Sequence, residues 1–152
     1  MRRAAVLLAV GVCLVPLLAV STAFSAGYTG SKACAECHQK EFESYSKSAK
    51  KAHSFQSIQI MASKLSPAEL QECYACHTTG YGQPGGFVSL EKTPQLANAG
   101  CEVCHGPGEA HAQSGDKSLI KSKLSVEQCQ ACHNEQRVKS FGFKPMLYGG
   151  AH

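Results

Sequence analysis

The sequence predicts a mostly α-helical, small single-domain protein, built of short helices and loops wrapped around bound groups. Three observations predict it. The motif Cys-x-x-Cys-His stands four times, as Cys34–Cys37–His38, Cys73–Cys76–His77, Cys101–Cys104–His105 and Cys129–Cys132–His133. Helix-start signatures precede two of the four copies. Almost nothing between them alternates as a half-buried strand does.

The chain opens on Arg2 and Arg3, then an apolar run from Ala4 to Val20 broken only by Gly11 and Pro16. Small residues around Ser21, Ala23 and Ser25 follow. This is the layout of a secretory signal, with cleavage after Ala23 or Ser25 leaving small residues at −1 and −3. The alternative is a retained membrane anchor, which a short, proline-broken run serves poorly. Residues 1–25 are therefore expected to be a cleaved signal peptide and 26–152 one domain, periplasmic or otherwise exported.

The stretch from Glu41 to Leu65 lacks Gly and Pro and predicts a helix. Ser66-Pro67-Ala68-Glu69 combines an N-cap, a proline at the first helical position and a capping-box glutamate. It should start the helix that presents Cys73 to His77. Gly80 to Gly86, with Pro84, predicts a loop. A short strand pair is expected around Phe87–Leu90, and Thr93-Pro94 to Gly100 is a second loop. Gly106-Pro107-Gly108 should end the third motif's helix abruptly. Gly115-Asp116-Lys117 predicts a surface turn, and Ser125-Val126-Glu127-Gln128 a capping box ahead of Cys129.

The motif carries a specific chemistry. On a helical turn, residues i, i+3 and i+4 share one face. Two thiols there can form thioethers at one edge of a porphyrin, and the next histidine lies under its iron. Zinc is the rival, but it does not require a histidine directly after every Cys pair. The cysteine arithmetic agrees. Of nine Cys, Cys13 lies in the signal and the other eight are all in the motifs. None is left for a disulfide in an oxidising compartment. Four covalently bound haem c groups follow, on Cys34, Cys37, Cys73, Cys76, Cys101, Cys104, Cys129 and Cys132, with His38, His77, His105 and His133 as proximal iron ligands. The motifs are spaced by 39, 28 and 28 residues, one haem per segment. About 127 residues carrying four haems leave little room for an ordinary hydrophobic core, so the porphyrins should be the core.

The formal charge of +4 includes Arg2 and Arg3 of the signal, and haem propionates would offset the rest. With no base-stacking aromatic array, nucleic-acid binding is excluded. Lysines 47, 50, 51, 117, 121 and 123 could steer a partner or simply form a solvated face.

Seven histidines, less four proximal ones, leave His53, His111 and His152. In so haem-dense a chain, distal ligation is the favoured reading of each, against a surface histidine for the first two and a frayed terminus for the third. Three distal histidines leave one iron short. Met61 or Met146 could fill that position, giving a raised potential, or it stays open.

These residues resemble the tetrahaem cytochrome c-554 family of electron carriers. The resemblance spans about residues 31 to 152. It is closest from Cys73-Tyr-Ala-Cys-His-Thr-Thr-Gly through Phe87, and from Gly100-Cys101-Glu-Val-Cys-His-Gly-Pro-Gly108 to His111. The family pattern implies that the His38 haem is capped by His111, the His105 haem by His152 and the His133 haem by His53. It implies a five-coordinate His77 haem.

The function expected is an exported tetrahaem c-type cytochrome passing electrons between redox protein donors and acceptors in a respiratory chain, with a membrane-bound quinol-linked cytochrome as one such partner. It is not expected to be an enzyme. Two alternatives stand beside this. One is a small nitrogen-oxide reductase, with nitric oxide binding at an open His77 haem, although only Tyr81 stands near as an acid or base. The other is a subunit of a haem filament.

Overall fold

The computed structural model describes residues 27–134. The signal segment, Met146 and His152 lie outside the described residues. Seven short α-helices follow one another: α1 (Ser31–Cys34), α2 (Gln39–Ser48), α3 (Ser54–Met61), α4 (Pro67–His77), α5 (Cys101–His105), α6 (Glu109–Ser114) and α7 (Val126–Gln130). Short 3-10 turns at Lys50–His53, Ala62–Lys64, Pro94–Leu96 and Lys117–Leu119 join them. There is no strand among the described residues, in keeping with the helical class the sequence predicts.

The capping boxes form as the sequence writes them. The Ser66 hydroxyl accepts from the Glu69 N–H at 3.4 Å, and the Glu69 carboxylate accepts from the Ser66 N–H at 2.8 Å. Two orphan donors at the start of α4 are thereby satisfied, with Pro67 supplying a preset φ. Ser125 and Gln128 repeat the arrangement at α7. Gly106 ends α5 with φ +82°, and Gly115 ends α6 with φ +71°, both conformations that a side chain disfavours.

Two expectations are corrected. The Glu41–Leu65 stretch is not one helix. Ala49 is extended (φ −84°, ψ 118°), and it is buried with Tyr45 and Ala52 against Phe42. Packing of these small residues under the Tyr45 ring outweighs the local helix propensity. The Phe87–Leu90 segment makes no strand pair. Its donors go elsewhere: the Phe87 N–H to the Thr79 carbonyl at 2.9 Å and the Val88 N–H to the Thr93 hydroxyl at 2.8 Å. With those donors spent on a turn, no ladder can propagate.

A small protein core also exists where the sequence leaves little room for one. Phe55, Ile58, Phe87, Leu96 and Ala97 are buried together, with Tyr28, Leu70, Cys73, Tyr74 and Tyr81 packed around them. Phe55 stacks on Tyr74 at 6.1 Å between ring centroids, and Phe87 meets the same ring edge-on at 5.2 Å. Aromatic rings bury much area per residue, so a few of them fix α3 against α4 and position the second motif.

Candidate haem sites

All four motifs are single helical turns. In the first, the His38 N–H donates to the Cys34 carbonyl at 2.8 Å; in the fourth, the His133 N–H donates to the Cys129 carbonyl, also at 2.8 Å. The second motif is the last turn of α4 and the third is α5 itself. Each turn therefore offers two thiols and an imidazole on one side. None of the eight motif cysteines is paired in a disulfide. The described residues hold no group of three His, Cys, Asp or Glu side chains arranged around a common metal position. The donor set is thus two thiols plus one imidazole per turn, which fits thioether attachment and a proximal ligand.

The imidazoles are oriented by backbone carbonyls. His77 Nδ1 lies 2.8 Å from the Ser54 carbonyl oxygen, and His105 Nδ1 lies 2.7 Å from that of Lys121. A carbonyl only accepts, so Nδ1 carries the proton and the lone pair stays on Nε2, the nitrogen left for iron. His111 is held likewise, with Nδ1 3.0 Å from the Asp116 carbonyl oxygen. His53 is turned the other way. Its Nε2 lies 3.2 Å from the Ser46 carbonyl oxygen, which leaves the lone pair on Nδ1.

His38 and His111 are brought together, with ring centroids 6.3 Å apart and planes at 31°. Metal–nitrogen bonds of about 2.0 Å, added to about 1.1 Å from nitrogen to ring centre, put two imidazoles on one metal roughly 6 Å apart. The observed separation would suit two imidazoles on one ion.

The thiols of different motifs also meet. Cys34 and Cys101 are hydrogen-bonded; that bond pulls Cys101 down to about 6 and pushes Cys34 up, with burial adding to the rise. Cys132 contacts Cys76, and burial pushes it up to about 12. Burial likewise raises Cys129, which feels Cys104 and the nearby Lys51 ammonium. The first motif therefore adjoins the third, the third adjoins the fourth, and the fourth adjoins the second. The order in space is first–third–fourth–second, unlike the order in sequence. Lys51 also carries the Lys50–His53 turn close to the fourth motif, whose histidine the family pattern pairs with His53.

Other candidate residues fall as follows. Met61 ends α3 and is 53% exposed. Tyr81 packs edge-on against Tyr74, with centroids 5.3 Å apart. Two residues were not legible as site residues. Ser54 accepts the His77 Nδ1–H at its carbonyl, donates its hydroxyl to the His77 carbonyl at 3.0 Å, and accepts the Ala99 N–H at 2.9 Å. Nothing in the sequence marks it. Glu102 lies inside the third motif and is only 3% exposed. Its carboxylate between the two cysteines of a motif was the available signal.

Comparison with known proteins gives a consistent result. The family model described as "Cytochrome c554 and c-prime" matches residues 33–106, which include the first three motifs. Cytochrome c-554 of Nitrosomonas europaea is 31% identical over 142 residues, covering 74% of this chain and 60% of the relative; the chain thus spans about three fifths of that relative's length. The solved structure of the reduced state of cytochrome c554 from the same organism superposes with a TM-score of 0.58 at 26% identity. It covers 83% of this chain and 85% of that one.

Proposed function

Because this chain belongs to the cytochrome c-554 family, we propose that it is an exported tetrahaem c-type cytochrome that carries electrons between redox proteins. The observation that carries this reading is the set of four helical turns, each with two thiols and one histidine on one side, whose cysteines adjoin in the order first–third–fourth–second. Bound haem supplies a one-electron couple at each motif. The chain holds the attachment points adjacent and fixes the imidazole tautomers. It thereby sets spacing and ligand strength, the protein's levers on potential.

His38 and His111 serve as the axial pair of the first haem, a role their 6.3 Å ring separation supports. His53 serves the fourth haem, supported by Lys51 lying near Cys129, and binds through Nδ1 or after turning away from Ser46. His152 serves the third. The His77 haem keeps an open position that can take nitric oxide. Partners are redox donors and acceptors, a membrane-bound quinol-linked cytochrome among them, and the site of action is the periplasm after signal cleavage. No helix among the described residues is long and apolar enough to cross a membrane.

The test is reductive titration with spin-state spectroscopy on the purified holoprotein. Four electrons per chain, one high-spin haem and no sustained turnover of nitric oxide under reductant are expected. Met61→Ala and Met146→Ala should leave the high-spin signal unchanged. Sustained turnover would move the protein to the nitrogen-oxide reductases, and a concentration-dependent spin state would favour a filament subunit.

A further inference from the structure

Glu102 is the middle residue of an unusual junction. Its carboxylate is buried and accepts three backbone N–H bonds: from Thr29 at 2.9 Å, from Gly30 at 2.8 Å and from Gly108 at 2.8 Å. The donors lie at the starts of two different helices. Gly30 is the N-cap of α1, which carries Cys34 into the first motif. Gly108 is the N-cap of α6, which carries His111. Glu102 itself sits between Cys101 and Cys104 of the third motif. One side chain thus ties three segments together, through contacts spanning up to 73 residues.

The backbone at these contacts has no slack. Gly30 has φ +87°, and a Cβ there would meet the Gln95 carbonyl at 3.0 Å; a Cβ on Gly108 would meet Glu102 itself at 3.1 Å. The positive φ favours glycine at position 30, and a side chain at 108 would crowd the Glu102 carboxylate. The Ser31 hydroxyl accepts the Cys101 N–H at 3.1 Å and reinforces the same junction one residue along.

We infer that Glu102 is a positioning residue for the first haem. It holds the segment bearing Cys34 and the helix bearing His111 in one register, so that His38 and His111 meet the iron from opposite sides. The inference rests on the proposed His38–His111 ligation. The three donated N–H groups neutralise part of the charge, as in other carboxylates held by backbone amides. The remaining negative charge lies within electrostatic reach of Cys34, on the edge where that haem attaches. A fixed negative charge there favours the ferric form, so its removal should raise the potential.

Glu102→Gln preserves shape while removing charge and replacing one acceptor oxygen with a donor that faces N–H groups. In the holoprotein it should shift the His38 haem toward the reduced form by about tenfold in the oxidised-to-reduced ratio, about 59 mV for a one-electron couple. It should also convert part of that haem's low-spin signal to high-spin, while the His77 and His133 haems keep their spectra. Glu102→Asp keeps the charge with a shorter reach, so it should retain most of the potential and lose low-spin signal. His111→Ala is the control. If His111→Ala leaves the low-spin count unchanged, the ligation reading fails. If His111→Ala removes one low-spin haem but Glu102→Gln moves neither spin state nor potential of that haem, or moves all four haems equally, the inference is overturned. Should the variants fail to mature, hydrogen exchange on the wild-type holoprotein decides. The Thr29, Gly30 and Gly108 amides should be strongly protected, and exchange at the rate of exposed amides would overturn the clamp.

Discussion

At the scale of single residues, the chemistry follows from which nitrogen of each histidine is held. His77, His105 and His111 have Nδ1 against a backbone carbonyl, which places the proton on Nδ1 and the lone pair on Nε2. His53 has the opposite arrangement, so its role is the one most worth testing alone. His53→Ala should convert one low-spin haem, that on His133, to high-spin and shift its potential, leaving the other three near their original values. An unchanged low-spin count would reject His53 as a ligand. The four motifs were legible as helical turns because Cys-x-x-Cys-His is a fixed local spacing. His111 was legible only as a spare histidine and through family pattern; its meeting with His38 joins residues 73 apart in sequence, a closure no local signal records. The contacts of Glu102 and Ser54 were not legible, because each is made with or through distant backbone groups, and no side-chain pattern records where a backbone group will lie.

At the scale of elements, local signals succeeded where they acted alone and failed where packing competed. The Ser66 and Ser125 boxes, the Gly106 stop and the Gly115 turn needed nothing beyond their own residues. The long Gly- and Pro-free stretch read as one helix, but the burial of Ala49 beneath Tyr45 broke it. The strand expectation at Phe87–Leu90 failed because Phe87 is buried in the aromatic cluster and its N–H is taken by Thr79. Apolar character there marks core, not a sheet. Two substitutions separate these contributions. Ser66→Ala removes an exposed cap and should cost about 1 kcal/mol of stability in denaturant unfolding, with little change in the haem spectra. Leu96 is fully buried at 0% exposure, and its carbonyl accepts the Thr79 N–H beside the second motif. Leu96→Ala should cost about 2–5 kcal/mol through the cavity it leaves. A loss below that of Ser66→Ala would mean that the aromatic cluster is not the protein's core once the haems are in place.

At the scale of the whole molecule, the protein core among the described residues is small. The described residues bury five apolar side chains in one cluster and three in another, which is little for a domain of this length. The motifs adjoin through their cysteines, Cys34 beside Cys101 and Cys76 beside Cys132, so a group attached at one would constrain its neighbour. The helical class was legible from caps and motif spacing. The spatial order of the motifs was not, because it is fixed by long-range contacts such as Cys34 with Cys101 and Cys76 with Cys132. The central claim is that this chain carries four haems, each through two thioethers. The most direct measurement is the mass of the denatured, fully matured protein. It should equal the polypeptide cleaved after Ala23 or Ser25 plus about four haem masses, with no free thiol available to alkylation. A matured sample carrying fewer haems, or one in which alkylation labels any of the eight motif cysteines, would contradict the account.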